Sequence, residues 1–436
     1  MKYIIIILKM LAQKNITFRR IVRRLIYIIK SAYYLFFYYL NKTQPNLVLF
    51  EAYMGRSYAC SPKALYEAMQ RDKSYQSFHF VWAFFDCDKY EFLKENKNTS
   101  LVKYGSKEYY ITYSQAKYWI SNSRIPEQIR RRRDQIYIQT WHGTPLKRLG
   151  FDVEVEGGNA MNTLKELQNK YTADARRYSY MLSPSAFCTQ RFISAFNLDE
   201  LHQENIILEK GYPRNDALFR YTEQDCRRIK ATLGLSDDKK IILYAPTWRD
   251  NQHEAGLGYT YSVGVDFDFL RRELGKDYVI LFRSHYFIAN NFNFGEYQDF
   301  IVDVSNYDDI NDLYVISDML ITDYSSVFFD YANLKKPILF YMYDLEFYKN
   351  KLRDFYIELE NLPGNVVQTE QELVRKIHRV SKHFFIDERY TAFNRRFNYL
   401  DGPNTSEKVL SVIINGGDLA DRCSGNSSIT DVITSK

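Results

Sequence analysis

Two histidines stand where a parallel α/β sheet would expose its ligand-binding edge. His142 follows the apolar run QIYIQ (135–139) within Thr140-Trp141-His142-Gly143-Thr144-Pro145, and His285 follows YVILF (278–282) within Arg283-Ser284-His285. An imidazole titrates near neutral pH, so either ring is a candidate to take a proton from a hydroxyl. Gly143 leaves room for a ligand or backbone to come close to the first ring. Arg283, beside the second, offers a planar fork of donors that matches phosphate oxygens. A lone histidine is more often structural than catalytic; the Arg283–His285 pair is harder to dismiss as a surface turn.

Three further strand ends carry residues of the same chemical kind. DMLIT (318–322) leads into Asp323-Tyr324-Ser325-Ser326-Val327-Phe328-Phe329-Asp330, which puts Ser325 and Ser326 in a turn entering a helix. Backbone N–H groups and hydroxyls there can hold a phosphate, although capping the helix is the commoner use of such serines. Pro246-Thr247 within APTWRD and Arg214 within GYPRND (211–216) complete the set, with Arg214 falling between the two halves of the chain. The chain has neither GxxxxGK[ST] nor GxGxxG, which disfavours an NTPase or a dinucleotide enzyme. Asp86-Cys87-Asp88 and Asp266-Phe267-Asp268 have the DxD form but read better as polar loops, and no metal site is evident. The run Arg130 to Arg133 reads as a solvated face, with a polyanion or lipid phosphates as the alternative partner.

These residues need a scaffold that aligns strand ends along one edge. Short apolar runs recur from LVLFEAY (47–53) through FHFVWAFF (78–85), SLVKYG (100–105), KYWISN (117–122) and YMLSPS (180–185) to IILEKGYPRND (206–216). A second series starts at KKIILYAPTWRD (239–250) and continues through FIVDVS (300–305) to PILFYMYD (337–344). Strands alternating with helical stretches signal doubly wound parallel sheets, here two Rossmann-type domains facing a cleft. The expected division is 1–43 as a helical membrane-associating segment, 44–220 and 221–412 as the two Rossmann-like domains and 413–436 as a flexible tail. The change between domains falls near 217–238.

Length agrees, since 436 residues exceed what one core usually supports. A hydrophobic fraction of 46%, with 38 tyrosines and 30 phenylalanines, marks a folded chain. The net charge of +6 does not call for nucleic acid as a partner. Five cysteines stand singly, which fits a reducing cytosol rather than a disulfide framework. The basic excess sits at the start, where Lys9, Lys14, Arg19, Arg20, Arg23, Arg24 and Lys30 interrupt apolar runs. No uninterrupted run there is long enough to span a bilayer, and no signal-peptide cleavage site follows. A basic amphipathic helix on an anionic membrane surface is the favoured reading. A helix packed on the body of the protein, or one tilted span over Leu25 to Leu40, are the others.

Taken in order, WHGTP, GYPRND, APTWRD, RSH and DYSSVFFDYANLKKPILFY resemble the CDP-glycerol glycerophosphotransferase family of teichoic-acid primases and polymerases. The resemblance runs from about Leu47 to Leu400 and implies a GT-B fold. It also implies a CDP-glycerol or CDP-ribitol donor held mainly by the domain 221–412, no separate cofactor, and a lipid-linked or polymeric acceptor on the side of the domain 44–220, at the cytoplasmic face of the membrane. A homo-oligomer is compatible with it. The family's essential histidines fall on His142 and His285. Its donor contacts fall on Gly143, Thr144, Pro145, Leu146, Arg214, Pro246, Thr247, Arg283, Ser284, Ser325, Ser326 and Asp330. The chain's length mildly favours a primase or short transferase over a polymerase. The rivals are a nucleotide-sugar glycosyltransferase, with Glu346 near the ribose, and a non-catalytic membrane-bound assembly factor.

Overall fold

The computed structural model describes residues 16–154, 163–247, 253–254, 258–259, 264–284, 294–346 and 355–415. His285, the first fifteen residues and the chain beyond 415 therefore lie outside the described residues.

The apolar runs form two parallel sheets. The first holds β1 (Gln44–Glu51), β2 (His79–Phe84), β3 (Thr99–Lys103), β4 (Ala116–Ser121), β5 (Ile136–Gln139), β6 (Tyr180–Ser183) and β7 (Ile207–Glu209) in the order 3-2-1-4-5-6-7. The second holds β8 (Lys240–Ala245), β9 (Tyr278–Phe282), β10 (Ile301–Asp303), β11 (Met319–Thr322), β12 (Ile338–Tyr341) and β13 (Asn365–Val367). Its order is 10-9-8-11-12-13, the same winding. Helices cover both faces of each sheet, so central strands such as β8 are buried along nearly their whole length and read as unbroken apolar runs. In both sheets the order reverses beside the first strand, which opens a crevice at the carboxyl ends of β1 and β4 and of β8 and β11. This is the GT-B-like architecture.

The sheets are joined twice. Residues 210–222 lead from the first to the second, and the chain returns after α11 (Glu388–Phe397), when α12 (Thr405–Leu410) packs on α2 (Cys60–Arg71). Val409, Leu410 and Ile413 enter the cluster around Val48, Phe50 and Trp82, so the end of the chain completes the first core. Asp216 fastens the two crossings by accepting N–H bonds from Thr405 and Ser406, both at 2.9 Å.

A 25-residue helix, α1 (Ile16–Leu40), lies on the flank of the first sheet. Ser31, Tyr34 and Phe37 are its buried stripe, facing α3 (Lys107–Gln115), and burial of each ring contributes about 1.5–3 kcal/mol. The opposite face is exposed and apolar, including Ile21, Leu25, Ile29 and Phe36, interspersed with Arg20, Arg23, Arg24 and Lys30. No helix among the described residues is long and apolar enough to cross a membrane. Part of the Arg130–Arg133 run is structural rather than solvated. Arg132 stacks on Tyr38 at 4.1 Å and donates to the Asn41 carbonyl at 2.8 Å, while Arg131 bonds the Gln135 and Arg177 carbonyls. The run therefore ties α1 to the sheet.

Candidate active site

The loop after β5 turns sharply to present His142. Trp141 has a left-handed φ of 51°, and its N–H donates to the Gln139 side chain at 2.9 Å. Its ring is buried against Phe192 and Phe196 and stacks on the imidazole at 4.3 Å. His142 is thereby held outward and exposed. Across it stands Tyr53, with 6.3 Å between ring centroids. Tyr53 and Met54 follow β1 in left-handed conformations, φ 49° and 59°, and the Tyr53 N–H is held by Asn122 at 2.8 Å. Such backbone costs about 1–3 kcal/mol per residue and persists where its surroundings fix it.

Gly143 lies where the two halves meet. A Cβ there would stand 2.8 Å from the Ser326 hydroxyl oxygen and 3.5 Å from an Arg214 guanidinium nitrogen. Three of the sequence motifs, from strand ends far apart in the chain, thus meet around a position that only glycine fills without displacement. Ser326 opens the short helix α9 (Val327–Tyr331), but its side chain makes no capping hydrogen bond. The serine turn is therefore not explained as a helix cap.

Arg214 is buried and paired. Its guanidinium reaches Asp330 at 2.7 and 2.8 Å, approaches the Cys60 sulfur at 3.8 Å and lies over the Tyr212 ring at 4.7 Å. The Asp330 carboxylate raises the Arg214 pKa, against the burial that lowers it. Asp330 also accepts from Asn215 at 3.0 Å, and Asn215 in turn reaches Asp401 at 2.7 Å. Burial pushes the Asp401 carboxyl up to about 6, partly offset by the Tyr212 N–H and the Asn215 and Asn333 amides that it accepts from. The Arg214 Nε is buried with no hydrogen-bond partner among the described residues.

Arg283 is held differently. Nη1 donates to the Val304 and Tyr307 carbonyls at 3.0 and 2.7 Å, and no carboxylate pairs with it among the described residues. Burial lowers its pKa. Ser284, next along, is buried against Ser305 with 2.9 Å between hydroxyl oxygens. Thr247, half-buried beside the buried Pro246, donates its N–H to Asp323 at 2.7 Å, and Tyr324 donates to the same carboxylate oxygen at 2.5 Å. That carboxylate ties the end of β8 to the end of β11 at the crevice of the second sheet.

The remaining candidates separate by exposure. Thr144 and Leu146 are each 2% exposed; Leu146 packs in the core and its carbonyl accepts from Tyr356 at 2.8 Å. They and the buried Pro145 shape the loop from behind. His285 lies outside the described residues. Of the DxD-like triplets, Asp266 caps the helix Phe267–Leu274 by accepting from the Phe269 N–H at 3.0 Å.

The model of the CDP-glycerol:poly(glycerophosphate) glycerophosphotransferase family matches residues 32–415. The chain belongs to that family. As a glycerophosphotransferase-family member it is 38% identical over 371 residues to a teichoic acid poly(glycerol phosphate) polymerase of Bacillus spizizenii, covering 85% of this chain and 92% of that one. It is 36% identical over 395 residues to a teichoic acid glycerol-phosphate transferase of Staphylococcus aureus, covering 88% and 97%. A solved structure of the wall teichoic acid polymerase TagF superimposes with a TM-score of 0.78 at 38% identity, over 92% of this chain and 97% of that one. The Bacillus spizizenii polymerase is nearly matched in length, whereas the chain spans about half of the poly(glycerol phosphate) polymerases of Staphylococcus epidermidis and Bacillus subtilis, so relatives of both lengths carry the polymerase name.

Several residues of this family member's cleft carried no sequence signal. Tyr53 and Cys60 follow β1, whose run was visible, but nothing marked their backbone as left-handed. Asn311, which donates to the Arg214 carbonyl, and Asp401 come from helices and returns remote in sequence.

Proposed function

We propose that the chain transfers an alditol phosphate, glycerol phosphate first among them, from a CDP-linked donor to a hydroxyl of a teichoic-acid acceptor and releases CMP. The observation that carries this is the meeting of His142-Gly143, Ser326 and Arg214 at the mouth of two facing sheets. A base, hydroxyl donors and a guanidinium converge there from strand ends where anionic ligands bind. Both curated relatives cited above are named for glycerol phosphate, which favours that donor over CDP-ribitol.

In this mechanism the acceptor hydroxyl gives its proton to His142 as its oxygen attacks the β-phosphorus of the donor. The bond from that phosphorus to the bridging oxygen breaks, and CMP leaves with the electron pair. Arg283 and the Ser325-Ser326 turn face the charge growing on the diphosphate, and such prepositioned donors act best where water is excluded. The Asp330 pair neutralises Arg214, so its part is to fix the turn against Gly143. Ser284, Pro246 and Thr247 shape the second crevice. His285 keeps the role its motif implies. Family membership weighs against a nucleotide-sugar transferase, in which attack would fall on carbon.

The acceptor is taken to be lipid-linked or polymeric, with the enzyme peripheral on the cytoplasmic membrane face. The exposed apolar and basic face of α1 supports this, because Ile21, Leu25, Ile29 and Phe36 stay exposed while Ser31, Tyr34 and Phe37 are buried against the protein.

The test is CMP release from CDP-glycerol and CDP-ribitol in parallel, with lipid-linked acceptor, for wild type, His142→Ala and His285→Ala. Release from one donor, lost in both variants, supports the proposal. Turnover of a nucleotide sugar with neither CDP-alditol consumed refutes it.

A further inference from the structure

The carboxyl edge of the first sheet continues past His142, and what lies there is an aromatic platform of half-buried tyrosines around the exposed Phe85. The loop after β1 is clasped onto the ends of β2 and β3. The Phe85 N–H donates to the Gly55 carbonyl at 2.8 Å, and a Cβ at Gly55, φ +80°, would meet Ala83 O and the Tyr104 ring, both at 3.2 Å. Phe85 and Tyr104 lie nearly face to face, 4.4 Å between centroids and 30° between planes. The Arg56 guanidinium sits 5.2 Å from the Phe85 centroid and donates to the Tyr53 carbonyl at 3.0 Å. Tyr90 donates to the Arg56 carbonyl at 3.1 Å and reaches Asp308, in the loop after β10, at 3.0 Å, which fixes the platform beside the cleft.

Phe85 is 44% exposed and Met54 38%, although both lie in a well-packed loop system. Rigidly held, exposed aromatic surface next to a cation is what a binding site needs and a stable core does not. The row runs from His142 through Tyr53 to Phe85 and Tyr104, from β5 across β4, β1 and β2 to β3. At about 4.8 Å per strand it spans about 19 Å.

Resting on the phosphotransferase reading, we infer that this platform holds the acceptor one phosphodiester-linked polyol unit back from the reacting hydroxyl. The carbon skeleton of that unit lies over Phe85 and Tyr104, and its phosphate faces Arg56. Asp86 follows Phe85 directly and opposes a dense anion, so the site suits the single charge of a phosphodiester rather than a diphosphate. The platform is distinct from the donor side of the cleft, where Ser326, Arg214 and Arg283 lie.

The experiment is a ligand-observed NMR titration of the full chain with a synthetic glycerol phosphate trimer, with triglycerol, which lacks phosphate, and with CDP-glycerol. Wild type is compared with Phe85→Ala and Arg56→Ala, and thermal melting confirms that each variant is folded. The expected result is at least a fivefold loss of trimer affinity in both variants, CDP-glycerol affinity within twofold of wild type, and triglycerol weakened by Phe85→Ala alone. Trimer affinity unchanged in both folded variants, or no trimer binding by wild type, overturns the inference. Failure of CDP-glycerol to bind wild type would instead count against the phosphotransferase reading, while the trimer arms still decide this one.

Discussion

Replacing Glu51 by glutamine should flatten the pH dependence of stability of the first sheet. Glu51 ends β1 and is 1% exposed; Tyr109 and Tyr113 donate to Oε2 at 2.9 and 3.0 Å, while Oε1 is buried without a partner. Burial pushes its carboxyl up to about 7 from 4.5, with the two tyrosine hydroxyls and Arg56 pulling the other way. An acid with a raised folded-state pKa binds more protons folded than unfolded. Its contribution to stability is complete below the unfolded value of about 4.5 and is lost as pH rises through about 7. Between pH 5 and pH 8 that loss is about 2.5 kcal/mol, from 1.36 kcal/mol per tenfold change in proton affinity.

Glutamine carries no charge, so Glu51→Gln loses this term. Its amide N–H₂ falls where Oε1 has no partner, which costs about 1–3 kcal/mol at every pH. The variant is therefore less stable than wild type at pH 5 and close to it, or more stable, at pH 8. The assay is urea unfolding followed by tryptophan fluorescence, since Trp82, Trp119 and Trp141 all belong to the first sheet and its loops. Parallel pH profiles for the two proteins would refute the assignment of a buried, proton-binding carboxyl at this strand end.

Gly143→Ala should lower the melting temperature modestly, because φ +157° is strained for an L residue, and lower the rate of CMP release at least tenfold, because the added Cβ would stand 2.8 Å from the Ser326 hydroxyl and push it aside. Adding Ser326→Ala to it should cost little more, a non-additivity read in a double-mutant cycle. Asp330→Ala leaves a buried guanidinium uncompensated and should destabilise by about 3–5 kcal/mol in chemical denaturation. A loss below 1 kcal/mol would mean the pair is solvated. Ile21→Asp with Leu25→Asp, on the exposed face of α1, should abolish sedimentation with vesicles containing anionic lipid without shifting the melting temperature, and unchanged sedimentation would remove α1 as the membrane contact.

The strand ends were legible because buried parallel strands are written as uninterrupted apolar runs: each of the twelve runs became a strand, and within the two parallel sheets Asn365–Val367, three residues long, is the strand that carried no comparable run. His142, Ser326 and Arg214 could be placed at carboxyl edges for the same reason. What they touch could not. The pairing of Arg214 with Asp330 joins residues 116 positions apart and depends on how two sheets face each other. Leu146 matched a motif expected to contact the donor, yet its side chain fills the core, since motif membership does not say which way a side chain points. Arg131 and Arg132 looked solvated because charge alone was visible, while the carbonyls they satisfy come from α1, Gln135 and Arg177.

The two arginines of the cleft show how similar side chains take different parts. Arg214 already has its counter-ion, so an incoming phosphate would find a nearly neutral pair and gain little from it. Among the described residues Arg283 is held by backbone carbonyls, which fix its direction without cancelling its charge, while Asp308 and Asp309 act on it through space less than burial does. Its pKa is lowered by burial, so the unliganded protein bears a desolvation cost that an anion would relieve. The cation with attraction left to give is therefore the one at the end of β9, and the charge-stabilising role proposed for the second sheet falls to Arg283. Arg214, between the halves, instead sets how closely Gly143 and Ser326 approach, which is the dimension that decides whether base and donor can meet across the cleft.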